Sequence, residues 1–236
     1  RTADGFQKPG RDEYRHYFNG ANYLLYHLAA AAAARAGDDD LASNLQRKYE
    51  MAVARLQAAA DLEISPVYRE GRLAEIRVRV KNIRAGHNLP TSLTNIRQVW
   101  LEVTARNQAG EVLMIHGAPG ADGRLPEEAR LFNSDGMGSD FHFAVDPWVI
   151  TAFSRHDTIP PRGYRDVHYG LAPTEAPVVT VEARLRYRQA DQKVAEKLLA
   201  NVPAGIDLQA DYGLATVPPL PVVDMVHREA SFEARR

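Results

Sequence analysis

In the first quarter of the chain, apolar residues recur at steps of three and four. The first set consists of Tyr14, Phe18, Ala21, Leu25, Leu28 and Ala32, and the second of Leu41, Leu45, Tyr49, Val53, Leu56 and Ala60. This period predicts two amphipathic helices, each with one apolar stripe. Gly37 is suited to end the first helix, and Asp38 to Asp40 supply capping oxygens for the second. Residues 12 to 62 are therefore predicted to form an antiparallel helical hairpin.

From Ile64 onward the period of the pattern changes to two. One face of the next run would be apolar and the other cationic, since Ile76, Val78 and Val80 alternate with Arg77, Arg79 and Lys81. Further strands are predicted over residues 99–104, 112–115, 165–169 and 178–187, with turns at Glu70-Gly71 and Asn107–Gly110. Short strands with turns and no intervening helices favour an antiparallel β-sandwich.

The predicted fold class is α+β, an N-terminal antiparallel helical hairpin followed by an immunoglobulin-like antiparallel β-sandwich. The hairpin and a leading linker would form the domain 1–62, and the sandwich the domain 63–236. Asp191 is placed to cap a short helix through Leu199, and the end of the chain, from Val217 to Met225, is expected to be an extended tail. The apolar run Leu24–Ala34 is too short to cross a bilayer and is predicted to be a buried helix.

Composition and charge narrow the range of functions. The 236 residues carry a formal net charge of −1 with no long block of either sign, which gives no electrostatic reason to expect nucleic acid as a partner. The chain contains no cysteine, so it can hold no disulfide, thiolate-bound metal, catalytic thiol or covalently attached c-type haem. The common hydrolase, zinc-protease and phosphate-loop motifs are also missing. No catalytic residue is assigned, and an autonomous enzyme is not favoured.

Two histidines of the first predicted helix lie eleven residues apart, His16 and His27. This spacing is three helical turns to within about twenty degrees, so both would share one face with Gly20 and Tyr23 between them. A glycine inside a helix is costly, and close approach of a flat ring such as a haem edge would explain it. A tightly packed neighbouring helix, or a helix that begins near Gly20, would explain it equally well.

Two later stretches also carry candidate chemistry. Asn133, Asp135 and Asp140 lie among flexible glycines and could offer oxygen ligands to Ca²⁺, although the spacing of an EF-hand is missing and an acidic solvated turn is the alternative. His156 and Asp157 could act as an acid–base pair, but neighbours on an extended strand point to opposite faces.

Five phrases, taken together and in this order, resemble the C-terminal part of periplasmic multihaem c-type cytochromes. They are His16–Asn22, Gly86–Thr91, Asp157–Pro161, Val181–Arg188 and Pro221–Met225. The resemblance implies a helical segment followed by a haem-free β-sandwich, in a periplasmic or extracellular protein. This chain departs from the family in lacking the cysteines that attach haem, so the haem c would be held by a partner or by an upstream region.

The resemblance also implies roles for several of these residues. It implies that His16 is an axial ligand of a haem iron held elsewhere, with Gly20, Tyr23 and His27 lining the same contact. His87 is a second candidate, although its ring could instead hydrogen-bond the loop backbone and hold the corner at Gly86–Thr91.

The function expected from this resemblance is that of a haem-free module of an electron-transfer assembly. It would support and shield a haem carried by a partner chain or an upstream region, and it could also supply an axial ligand to that haem. A non-redox binding or scaffold sandwich is one alternative. Another is the accessory domain of a multihaem oxidoreductase that acts on a small nitrogen or sulfur compound. The expected partner is a haem-bearing cytochrome chain or domain, and the oligomeric state stays open.

Overall fold

The computed structural model describes residues 20–201, 203, 205 and 218–235. The helices in this part of the chain are α1 (Tyr23–Arg35), α2 (Asp39–Ala59) and α3 (Gln192–Leu199). Its strands are β1 (Ala60–Arg69), β2 (Arg72–Asn82), β3 (Gln98–Asn107), β4 (Val112–His116), β5 (Ser134–Met137), β6 (Ala152–His156), β7 (Tyr164–Gly170), β8 (Val178–Arg188) and β9 (Val223–Glu233). The chain divides into two compact units, the first ending at Ala52 and the second beginning at Val53. The predicted domain boundary after residue 62 stays a prediction.

Helices α1 and α2 are joined by the turn that the sequence predicts. Gly37 adopts a φ of +77°, and its amide donates to the main-chain oxygen of Ala34 at 3.1 Å, which closes the end of α1. The Asp38 side chain then accepts a 3.0 Å hydrogen bond from the amide of Leu41 and caps the start of α2. The predicted helices are confirmed over residues 23–59, whereas residues 60–62, which were predicted to belong to the second helix, begin strand β1.

The buried face of α1 differs from the predicted stripe. Tyr23, Ala30 and Ala33 are buried, whereas Leu25 and Leu28 of the predicted stripe are more than half exposed. The apolar run Leu24–Ala34 is therefore a largely exposed helix, and the prediction of a buried one was wrong. Almost every position of this run is apolar, so its sequence cannot show which face a neighbouring helix covers.

The first sheet has the strand order β1-β2-β7, with both pairs antiparallel. Strand β1 follows α2 without a loop and returns through the turn at Glu70-Gly71, where both residues have positive φ values, into β2. Ile76, Val78 and Val80 are fully buried, as the alternation predicts. The cationic face is neutralised by acidic neighbours, for example by the 2.7 Å ion pair between Arg79 and Asp166.

The second sheet has the strand order β4-β3-β8-β9 and is also antiparallel. One face of its two central strands is buried, through Val99, Leu101, Val103 and Ala105 on β3 and Val179, Val181, Ala183, Leu185 and Tyr187 on β8. At one end of the strands Gln98, Trp100 and Arg188 are buried as well, on the other face. Of the extended tail predicted from Val217 to Met225, residues 223–225 belong to β9, which continues to Glu233 and pairs with β8 along its length. An extended run of this kind completes a sheet edge that would otherwise leave its hydrogen-bonding groups open.

The two sheets approach each other at both edges. Strand β1 lies beside β9, where Arg228 forms a 2.6 Å ion pair with Asp61. At the other edge the ring centroid of His116 on β4 lies 5.1 Å from that of Tyr169 on β7. The α+β class and the antiparallel sheets are confirmed, while the immunoglobulin-like topology stays a prediction.

A separate hairpin, β5-β6, and the short helix α3 complete the second unit. Asp191 caps α3 as predicted, because its side chain accepts a 3.0 Å hydrogen bond from the amide of Lys193. Strands β5 and β6 were not predicted, since their short segments contain glycine, serine and charged residues rather than an apolar alternation. No helix in the described part of the chain is long and apolar enough to cross a membrane.

Candidate functional site

The helical hairpin carries a shallow groove with a histidine in its wall. The groove has a volume of about 390 Å³ and is lined by His27, Ala30, Ala31, Ala34, Ala42, Ser43 and Gln46. Its walls are mostly methyl groups, because alanines of α1 face the start of α2. The ring centroid of His27 lies 5.5 Å from that of Tyr49, which also makes an edge contact with the buried Tyr23 ring at 6.2 Å. The groove thus combines an exposed imidazole with a flat apolar floor.

Of the predicted His16–His27 face, the structure describes Gly20, Tyr23 and His27, and it places Tyr23 and His27 on α1. Gly20 lies in a bend before α1, which begins at Tyr23, and no atom lies within 4 Å of a Cβ built on Gly20. Gly20 therefore lies outside the helix, which agrees with the alternative of a helix that begins near Gly20, and no described residue approaches it closely. Tyr23 is buried at 1% exposure, so its side chain supports the hairpin rather than lining an open surface. His16 lies outside the described residues.

His87 lies at the corner between β2 and β3, on an exposed loop. Its Nδ1 is 2.9 Å from the main-chain oxygen of Asn88, a contact that suits a ring which holds the turn. The corner is tied to the loop after β6 by two reciprocal 2.9 Å hydrogen bonds between the main chains of Leu89 and Ile159. These two residues are buried while the His87 ring is accessible, so the corner serves the fold through its main chain.

The three residues predicted as calcium ligands do not converge on one point. The guanidinium of Arg155 donates to both carboxylate oxygens of Asp135, at 2.7 and 2.9 Å, and to the Asn133 side-chain oxygen at 2.6 Å. Asp140 lies in the following loop, where it accepts a 3.1 Å hydrogen bond from the amide of His142. A fixed cation thus occupies the position where two of the oxygens meet. Within the described ranges, no group of three or more acidic, histidine or cysteine side chains is arranged to hold a metal.

His156 and Asp157 diverge, as their positions on an extended strand predict. His156 Nδ1 lies 2.7 Å from the hydroxyl of Ser134, whereas Asp157 pairs with Arg130 at 2.5 Å and with Arg165 at 3.2 Å. Partial burial opposes ionisation of Asp157, but the hydrogen bonds and charges of the two arginines outweigh it and lower the pKa. The carboxylate therefore ties three segments together and does not activate His156.

The loop between β5 and β6 presents residues that the sequence reasoning missed. Phe141, Phe143 and Trp148 are 82%, 81% and 80% exposed. The sequence feature that could have identified them is the group of aromatic residues from Phe141 to Trp148, within a segment rich in glycine and aspartate. Such a segment looks like an ordinary polar turn until the exposure of its aromatic rings is known.

Comparisons with known proteins add one structural relationship. No family model matches the sequence, and no curated protein matches it significantly. The crystal structure of a penta-heme cytochrome c552 from Thermochromatium tepidum is similar to this chain, with a TM-score of 0.55 and 16% sequence identity. The match covers 76% of this chain and 41% of the cytochrome chain, so this chain spans less than half of the length of its structural neighbour. At this identity the likeness shows a shared fold with part of a multihaem cytochrome.

Proposed function

We propose that this chain is the haem-free module of a multihaem cytochrome electron-transfer assembly. The observation that carries the proposal is the structural match of three quarters of the chain to part of a penta-heme cytochrome, in a sequence without cysteine. Covalent attachment of c-type haem needs cysteine thiols, so the haem of such an assembly would be held by a partner chain or by another region. The same relationship supports a periplasmic or extracellular location.

The groove on the helical hairpin fits the edge of a porphyrin. Its alanines offer an apolar surface without projecting side chains, and the imidazole of His27 lies in its wall. Neutral imidazole is a standard ligand of haem iron and also a hydrogen-bond partner of haem substituents. When bound, the haem would supply the one-electron chemistry. The residues of this chain would orient it, exclude water from its edge and set its potential through ligation and burial.

Three histidines remain candidates within this proposal. His16 is proposed as the axial ligand, on the strength of the sequence resemblance alone, and His27 as a residue at the haem contact. His87 is the weaker candidate, because its ring already contacts the main-chain oxygen of Asn88. The remainder of the proposed contact consists of Gly20, which leaves open space beside the start of α1, and Tyr23, which supports the hairpin from inside.

The absorption spectrum of the natively purified assembly tests the function. We expect a Soret band in every fraction that contains this chain, and its absence from all of them would overturn the electron-transfer proposal. His16→Ala and His27→Ala are then compared with His227→Ala, which changes a histidine on β9. Loss of a low-spin haem spectrum in His16→Ala alone would assign the ligand. An unchanged spectrum in all three variants would contradict the ligand assignment but not the proposed function as a haem-free module.

A non-redox binding module is the second candidate function. The observation that favours it is the exposed aromatic loop between β5 and β6, which has the character of a protein-binding surface. A chain that forms a stable complex with a haem-free protein, in fractions without a Soret band, would support this candidate. An accessory role in a multihaem oxidoreductase would instead be indicated by turnover of a small nitrogen or sulfur compound by the purified assembly.

A further inference from the structure

The segment Gly138–Val149, here called the aromatic loop, holds the most exposed large apolar side chains of the described residues. Phe141, Phe143 and Trp148 are each at least 80% exposed, and Val145 and Val149 are nearly half exposed. Single exposed apolar residues are common on protein surfaces. Three aromatic residues this exposed on one twelve-residue loop are unusual, and exposed apolar surface of this extent is typical of an interaction site.

The main chain of the aromatic loop is fixed by many hydrogen bonds. The amide of Gly138 donates to the oxygen of His142 at 3.0 Å, and the amide of Phe141 donates back to Gly138 at 3.1 Å. The second half of the loop is anchored to other segments, since Asn95 donates to the oxygen of Val145 at 2.7 Å and Lys197 pairs with Asp146 at 2.7 Å. The rings are therefore presented by a defined scaffold, which lowers the entropy lost on binding.

One aromatic residue adopts an unfavourable backbone conformation on this scaffold. Phe141 has a φ of +62°, the left-handed region that side chains with a Cβ seldom occupy. It gains little burial in return, because 82% of the residue is exposed. A bulky residue held in this region without burial is a feature found at functional positions.

A groove of about 630 Å³ lies between the aromatic loop and helix α3, and of the three aromatic residues Phe143 lines it. Its apolar wall includes Phe143, Val149 and Val194, and its charged residues include Asp140 and Lys193. Among the described residues, Asp140 and Lys193 form no ion pair, in contrast to Asp146 and Lys197 on the same groove. The groove therefore offers one free charge of each sign next to an apolar surface.

We propose that the aromatic loop and α3 form a twofold interface between two copies of this chain. The exposed apolar area agrees with a second copy of the chain as the partner. Three aromatic rings that are four-fifths exposed offer roughly 500 Å² of apolar surface. A standard interface buries about 800 Å² on each partner, and about 65% of a homodimer interface is apolar. Burial of the three rings would therefore supply about the apolar area that such an interface buries on each partner.

The charges of the groove also suit a second copy. In a twofold interface every contact occurs twice. If one residue of the first copy contacts another residue of the second copy, the same two residues also meet with the copies exchanged. Asp140 of one copy would meet Lys193 of the other, and the same pair would form again across the axis. A surface whose two free charges have opposite signs is complementary to itself, and the dimer would bury no net charge. This proposal does not rest on the proposed role in electron transfer.

The oligomeric state of the chain in solution tests the proposal directly. Sedimentation velocity over a dilution series is expected to show a dimer that dissociates on dilution. Trp148→Ser is expected to weaken dimerisation at least about 30-fold, because a central aromatic residue carries much of the energy of an interface. The matched control is Val112→Ser, which changes an exposed apolar residue on β4, outside the aromatic loop, and should leave the dimer unchanged. A chain that is monomeric at every concentration overturns the proposal.

Charge reversal tests the pairing of the two copies. Asp140→Lys and Lys193→Asp should each weaken the homodimer more than about tenfold, since each places like charges together twice. An equimolar mixture of the two variants should restore the dimer, because both contacts then join opposite charges. Asp140→Asn removes the charge but keeps a side-chain oxygen that can accept from the amide of His142. It therefore shows whether a weaker dimer results from the lost charge or from an altered loop. Failure of the mixture to associate, with the single variants folded, contradicts the twofold arrangement.

These results can be distinguished from those on the proposed function. A monomeric chain that still elutes with a Soret band overturns the dimer and leaves the electron-transfer module standing. If the aromatic loop instead contacts a haem-bearing protein, Trp148→Ser removes the Soret band from fractions of a monomeric chain. A stable dimer of the purified chain supports the dimer, and only the absence of a Soret band from every native fraction that contains the chain contradicts the electron-transfer proposal.

Discussion

The side-chain amide of Asn82 donates a 2.8 Å hydrogen bond to the main-chain oxygen of His87. The same nitrogen donates at 3.2 Å to the oxygen of Ile159, and the Asn82 side-chain oxygen accepts from the amide of Ala85 at 3.0 Å. Asn82 is buried at the end of β2, and its side-chain amide is satisfied by these main-chain groups. One amide therefore holds the corner that contains the most conspicuous histidine of the sequence.

We expect Asn82→Ala to lower the free energy of unfolding by about 2–4 kcal/mol, because it leaves several main-chain groups at the corner without partners. His87→Ala should cost less than about 1 kcal/mol, since an exposed ring contributes little to stability. Urea denaturation of both variants measures the difference. A larger loss for His87→Ala than for Asn82→Ala would show that the imidazole, and not the amide, holds the corner.

The hairpin β5-β6 depends on the absence of a side chain at Gly136. A Cβ at this position would collide with the Ile150 side chain and lie 2.8 Å from the main-chain oxygen of Ala144. Gly136→Ala is expected to cost about 1–3 kcal/mol, the range typical of overpacking. Gly86→Ala is the matched control, because nothing lies within 4 Å of its added methyl group. Equal thermal stabilities of the two variants would contradict the close approach.

The position of the buried face of α1 gives a prediction for the first unit. Tyr23→Ala removes a ring at 1% exposure and should destabilise the helical hairpin by about 3–5 kcal/mol. Leu25→Ala, on the face that the sequence pattern suggested, should cost less than about 1 kcal/mol, because its side chain is exposed. The two variants are compared by following helix content with circular dichroism during thermal unfolding. A larger loss of stability in Leu25→Ala than in Tyr23→Ala would show that the face predicted from the sequence is the buried one.

Asp157 should make stability depend on pH in the acid range. The arginines around it lower its pKa from the ordinary value of 3.8, despite the opposing effect of burial. A lowered pKa means that ionised Asp157 stabilises the fold above about pH 4, and that this contribution is lost as the pH falls further. Asp157→Asn should therefore cost about 2 kcal/mol at neutral pH.

The difference between the parent chain and Asp157→Asn should shrink as the pH falls below the ordinary carboxyl value of 3.8. Glu128→Gln, at an exposed position, is the control and should leave the acid dependence unchanged. Denaturant titrations at several pH values between neutrality and pH 2 provide the measurement. A difference that stays constant over this range would show that the ion pairs with Arg130 and Arg165 contribute nothing to stability.

Calcium is expected to have little effect on the stability of this chain. Arg155 already donates to the oxygens of Asn133 and Asp135, so a cation would have to displace a charge-assisted network. Melting temperatures in calcium and in a chelator should agree. A rise in the melting temperature with calcium that is abolished by Asp135→Asn would instead establish the site that the sequence suggests.

The local features of the fold were predictable from neighbouring residues. The turn at Gly37, the cap at Asp191 and the alternation along β2 and β8 each depend on groups a few positions apart. Their structures follow from φ preferences, side-chain oxygens and a period of two, all of which are written in a short stretch of chain.

The sequence by itself determined the α+β class, the helical hairpin, the antiparallel strands and the exclusion of covalently bound haem in this chain. Only the tertiary structure decided which face of α1 is buried, since nearly every residue of that run is apolar. It also decided that Arg155 fills the space between Asn133 and Asp135, some twenty residues away along the chain. Contacts of that range depend on how the strands pair, and so does the exposure of Trp148 and its aromatic neighbours, because burial is a property of the folded surface.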